Sequence, residues 1–146
     1  MEIVLSIIAI ILSIVSFVFT YCQTKRINTK MLKLRFYEKI FDDYLIERIP
    51  KARKKIHFSS STNKLIDAKE MRDVLSDLKL SVLYFKYANN AFYDRLIQLI
   101  DDLESYLSIY VNNQEPDNDK QSQVITSIGK KIEGIYSLID KNANEC

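Results

Sequence analysis

A chain of 146 residues has room for one membrane helix and one compact domain of about 90 to 120 residues, and two independent soluble domains would not fit. Its single histidine excludes a His-Glu-x-x-His zinc site and leaves no Glu-x-x-His pair for a di-iron bundle. The two cysteines form no Cys-x-x-Cys, and the only glycines, Gly129 and Gly134, leave no phosphate-cradling loop. The formal net charge of +2 is unevenly spread, with 11 Lys/Arg against 5 Asp/Glu through Phe58 and 10 against 14 from Ser59 onward.

The first predicted element is a transmembrane helix, Ile3 to Tyr21. It has no charged residue in 19 positions, and at ~1.5 Å per residue it spans roughly 29 Å, close to the ~30 Å of a bilayer core. A cleaved signal peptide fits less well, because Met1 and Glu2 supply no positive n-region and no Ala-x-Ala site follows. Phe19-Thr20-Tyr21 places bulky groups before Cys22, where a lipoprotein signal needs small ones. Lys25, Arg26, Lys30, Lys33, Arg35 and Lys39 follow the span and no basic residue precedes it. Basic residues are retained on the cytoplasmic side, so the N-terminus is expected outside and the remainder in the cytoplasm, anchored at a cell inner membrane. Cys22 and Cys146 read as free thiols.

Within the span Ser6, Ala9, Ser13, Ser16 and Thr20 recur at steps of three and four and share one face. Small residues let membrane helices approach closely, and hydroxyls can bond between helices, so the stripe predicts a parallel homo-oligomer. In a ring of four or more helices the same hydroxyls would line a narrow pore. Alternatively, serine in a helix simply bonds back to its own backbone.

No glycine or proline falls between Met1 and Ile49, and Ile27, Met31, Leu34, Tyr37, Phe41, Tyr44 and Leu45 keep helical spacing beyond the membrane. A membrane-proximal helix over residues 24–49 is expected to stop at Ile49, because Pro50 lacks an amide hydrogen and disfavours helix at the residue before it. A new short helix, Pro50 to His57, carries Lys51, Arg53, Lys54 and Lys55. Together with Lys25 and Arg26, these cations suit anionic headgroups at ~1 kcal/mol each near the surface. Nucleic acid or a nucleotide is the less favoured ligand, since the distal half is acidic. Ser59 to Asn63 reads as a polar loop.

A third helix is expected from Lys64 to Ala88, with Met71, Val74, Leu75, Leu78, Val82 and Phe85 on one face. Asn89-Asn90 is a turn signal, and Asn90 can cap the following helix, which runs through Phe92, Leu96, Leu99, Leu103, Tyr106 and Tyr110. Tyr84, Phe85, Tyr87, Phe92 and Tyr93 flank that turn. They are expected to pack on one another, with a ring-stacking ligand site as the alternative. A polar loop over Asn112 to Ser122 precedes a last helix marked by Val124, Ile125, Ile128, Ile132, Ile135 and Ile139, and a polar tail follows. Each helix has one apolar face, which an antiparallel bundle over residues 50–141 would bury.

The expected fold class is therefore all-α: anchor 1–23, membrane-proximal helix 24–49, cytosolic bundle 50–141 and tail 142–146. No nucleophile elbow accompanies His57, and the acidic groups read as solvated helix faces, so neither catalysis, a metal nor a cofactor is expected. In layout the chain resembles the small membrane-anchored proteins of bacterial anti-phage systems, which join one or two spans to a compact cytosolic sensor or partner-binding domain. The expected function is a non-enzymatic interaction protein that meets the bilayer, a second copy of itself and a cytoplasmic protein partner or signal. A pore-forming effector and a nucleotide- or nucleic-acid-binding sensor are the alternatives.

Overall fold

The fold is all-α with one long apolar N-terminal helix, in a computed structural model that describes residues 2–112 and 116–144. α1 (Glu2–Ile40) passes into a π-helical segment (Phe41–Arg48) and then α2 (Ile49–Lys55). A two-residue hairpin, β1 (His57–Phe58) with β2 (Leu65–Ile66), leads to α3 (Ala68–Ser81) and the single turn α4 (Phe85–Ala88). α5 (Asn90–Asn112) and α6 (Asn118–Asn144) complete the chain. Two compact units divide between Phe36 and Tyr37.

The unit that opens at Tyr37 buries Tyr37, Ile40, Tyr44, Leu45, Ile49, Ala52 and Ile56 from its first strand of helix. α3 adds Met71, Val74, Leu75 and Leu78; α5 adds Phe92, Leu96, Ile100, Leu103 and Leu107; α6 adds Val124, Ile128, Ile132, Ile135 and Ile139. No polar or charged residue among those described is buried. α5 packs against both α3 and α6, so it is the central element of the core.

The helix does not stop at Ile49. Tyr37, Ile40 and Tyr44 share one face, and so do Ile49, Ala52 and Ile56, yet five residues separate Tyr44 from Ile49. In a regular α-helix the second set would point roughly 100 to 140° away from the first. The wider π turn absorbs the extra residue and aims both sets at one core. The Ile49 amide accordingly donates to the Tyr44 carbonyl, five residues back, and Ile49 is helical at φ −65°, ψ −47°. Pro50 sits in the first turn of α2, where its missing amide is tolerated.

In that register the amide at position 50 would serve the Leu45 carbonyl, and proline has none. The Tyr136 hydroxyl of α6 donates to that carbonyl instead, at 2.6 Å. A backbone group orphaned by Pro50 is thus satisfied from 91 residues away.

Four further boundaries differ from the sequence expectation. The segment expected to start a helix at Lys64 first pairs as β2, with His57 opposite Ile66 and Phe58 opposite Leu65. Asn63 and Asp67 take positive φ, 52° and 59°, a conformation that asparagine and aspartate tolerate, and helix begins only at Ala68. α3 ends at Ser81, because Val82 turns at φ −90°, ψ 0° and the Phe85 amide bonds back to the Val82 carbonyl. That turn carries Phe85 into the core. α6 starts six residues before Val124, at Asn118, with the Gln121 amide donating to the Asp117 carbonyl; its first turns are exposed and polar, so no apolar period marks them. Its last turn extends through Asn144, past the expected start of the tail.

Candidate functional site

The described side chains of the apolar stretch lie open along α1. Ser6, Ala9, Ser13, Ser16 and Thr20 are all exposed, and so are the larger Ile10, Ile11, Leu12, Ile14, Val15, Phe17, Val18 and Phe19. The Ser13 hydroxyl donates to the Ala9 carbonyl four residues back, at 2.9 Å. Its proton is therefore used within the helix, while its oxygen keeps a lone pair for a neighbour.

Beyond the stripe, Lys25 and Arg26 are exposed on α1, and Lys51 and Lys54 are exposed on α2. The remaining α2 cations are committed within the fold. Arg53 Nη2 donates to the Ile125 carbonyl at 3.1 Å, tying α2 to α6, and Lys55 Nζ pairs with Glu70 of α3. His57 is exposed, with Nδ1 2.7 Å from the Lys55 carbonyl. Lys51, Lys54 and Lys55 are thus exposed, and Arg53 is half-buried against α6. Cys22 is an exposed free thiol; Cys146 lies outside the described residues.

The aromatic group around the Asn89-Asn90 turn is only partly assembled. Phe85 and Phe92 stack edge-on with centroids 5.0 Å apart, and Tyr84 meets Phe85 at 5.4 Å. Tyr37 joins them, 4.7 Å from Phe85 and 5.4 Å from Phe92. Tyr93 is half-buried, whereas Tyr87 is 88% exposed and packs with none of these rings. Phe85, Phe92 and Tyr37 are thus in mutual contact and nearly fully buried, packed on one another. The cap is Asn89, whose Oδ1 accepts from the Phe92 amide, and Asn90 instead donates to Asp94.

The π segment is tied to α3 by hydrogen bonds and an ion pair. The Tyr44 hydroxyl donates to the Asp77 carbonyl at 3.3 Å and shares a 2.6 Å hydrogen bond with Ser81 Oγ. Arg48 pairs with the Asp77 carboxylate and lies over the Tyr44 ring, 5.0 Å from its centroid. The hydrogen bond to Asp77 raises the Arg48 guanidinium above its already high ordinary value. Desolvation raises the Tyr136 phenol, which is held neutral as the donor to Leu45. On the other side of α3, Lys79 bridges Asp101 and Glu104 of α5, each at 2.6 Å. Burial alone would lower the Lys79 ammonium, but these hydrogen bonds and charges outweigh it and raise the group above 10.5.

Sequence reasoning did not find Tyr37, Tyr136 or Ser81 as members of these constellations. The five-residue step before Pro50 was the available signal for the first two, because it requires a wide turn and leaves a carbonyl without a donor. Among the described residues no group of three or more His, Cys, Asp or Glu is placed to hold a metal ion. Comparison with known proteins returns no matching family model, no matching curated protein and no matching solved structure.

Proposed function

We propose that this chain is a non-enzymatic, membrane-anchored interaction protein. Its apolar helix spans a cell inner membrane with the N-terminus outside and self-associates through the Ser6-Ala9-Ser13-Ser16-Thr20 face. Its helical core binds a protein partner or signal in the cytoplasm.

One observation carries the reading. The only candidate membrane helix among the described residues is long and apolar enough to cross a bilayer, and none of its apolar window is buried. Exposure of Ile, Leu, Val and Phe side chains to water costs ~25 cal/mol for every Å² left uncovered, which a hydrocarbon environment removes. The direction rests on the six Lys/Arg between Lys25 and Lys39.

We read the core as an antiparallel bundle. Supporting this, Tyr44, Arg48 and Lys55 pair with Ser81, Asp77 and Glu70, so numbers rise on one helix as they fall on the other. Arg53 and Leu45 meet Ile125 and Tyr136 in the same opposed order.

Membrane residence is tested by alkaline-carbonate fractionation of the full chain, with terminal reporter fusions for direction. Recovery in the soluble fraction would refute it. Self-association is tested with Ser13→Leu/Ser16→Leu: loss of cross-linked species in membranes is expected, and an unchanged oligomer would refute the stripe.

A further inference from the structure

In the helix that opens the core unit, a large apolar residue one position out of step with the buried face is left exposed. Tyr37, Ile40 and Tyr44 form the buried face. Phe41, directly after Ile40, is 40% exposed. Counting back from Ile49, Ala52 and Ile56 in plain α register, the positions that align with them are Leu45, Phe41 and Glu38. Only the extra residue of the π segment puts Tyr44, Ile40 and Tyr37 there instead.

We propose that the π segment Phe41–Arg48 is a two-position register switch. In the position described above it is π-helical. In the second it is α-helical, and residues 37–40 before it are turned by one residue, about 100°. Phe41 then takes the place of Ile40 against the core, and Glu38 that of Tyr37.

The Tyr44 bonds to Asp77 and Ser81 and the Tyr37 contacts with Phe85 and Phe92 hold the first position, and three further features favour it. In α register the Pro50 ring would press on the Ile46 carbonyl, four residues back. Tyr136 supplies the hydrogen bond that keeps Leu45's carbonyl satisfied in the π register. Glu38 is exposed here, whereas the second position would bring its carboxylate to the core. The second position is therefore the minor one. A ligand that draws Tyr136 of α6 away from Leu45 shifts the balance by its differential affinity for the two. π turns inside α-helices are frequent at functional sites.

The switch does not require a bilayer; its use as a signal to the apolar helix rests on the membrane reading above. Its test is thiol accessibility in the detergent-solubilised full chain, which reads the switch whether or not the chain inserts. In a Cys22→Ser/Cys146→Ser background, Ile40→Cys and Phe41→Cys are labelled separately with a water-soluble maleimide. Phe41→Cys is expected to react faster. Adding Glu38→Leu with Pro50→Ala should speed Ile40→Cys and slow Phe41→Cys, each by about tenfold, and Tyr136→Phe alone should move both the same way. Because Glu38 is exposed, a fixed π segment predicts no response to its replacement. An unchanged ratio in both variants overturns the switch. Acceleration at both positions also overturns it, since that is local melting without a second register.

Discussion

The Tyr44 hydroxyl bonds the Asp77 carbonyl and Ser81 Oγ, and both partners lie on α3. Tyr44→Phe keeps the ring under Arg48 and removes only those bonds, so unfolding in urea should show a loss of about 1 kcal/mol. Asn89→Ala removes the side-chain acceptor for the Phe92 amide and should cost a similar amount, about 1 kcal/mol. Asn90→Ala should cost less, because Asn90 bonds only exposed Asp94. The raised Lys79 and Tyr136 groups act together at alkaline pH. Each holds its proton more tightly folded than unfolded, so its contribution is complete below the unfolded values, 10.5 and 10.0, and is lost as pH rises through the higher folded ones. Stability should therefore fall above about pH 10. In Lys79→Met, a pH titration of the unfolding midpoint should show a shallower fall.

At the level of elements, α5 and α6 were legible because their buried residues follow steps of three and four without interruption: Phe92, Leu96, Ile100, Leu103 and Leu107 on one, Val124, Ile128, Ile132, Ile135 and Ile139 on the other, although on α5 the core takes Ile100 and Leu107 where the sequence pattern offered Leu99, Tyr106 and Tyr110. Truncating the centre of either should be severe. Ile128→Ala removes a fully buried side chain and should cost about 2 to 5 kcal/mol, read as a fall in the thermal midpoint. The π segment was not legible, because both of its flanks look like good helix and only their phase disagrees. The hairpin at His57–Phe58 and Leu65–Ile66 was hidden for a different reason. Two residues per strand are too few for an alternating pattern, and the decisive positive φ at Asn63 and Asp67 is tolerated by side chains that also occur in helices. The ring cluster was seen only in part, since adjacency in sequence brought in Tyr87, while Tyr37 arrives from 48 residues before Phe85. The partners of Arg53 and Lys55, a carbonyl on α6 and a carboxylate on α3, were not legible, because a cation's partner is set by packing.

For the whole molecule, the charge distribution and the apolar stretch were readable at once, being properties of consecutive residues. A single charge should be enough to disturb the stretch. Arginine at the centre of a span costs about 2.5 to 3.5 kcal/mol, so Ile11→Arg should move a large fraction of the chain out of the carbonate-resistant pellet, whereas Ile11→Leu should not.

The π segment also bears on chain length. It holds one residue more than an α-helix needs between Tyr44 and Ile49, and Ile46 within it is 61% exposed. A chain lacking Ile46 would bring Tyr37, Ile40, Tyr44, Ile49, Ala52 and Ile56 onto one side with ordinary α turns. The segment is thus a place where this protein can lose a residue without changing which side chains its core receives, provided that Pro50 is replaced as well.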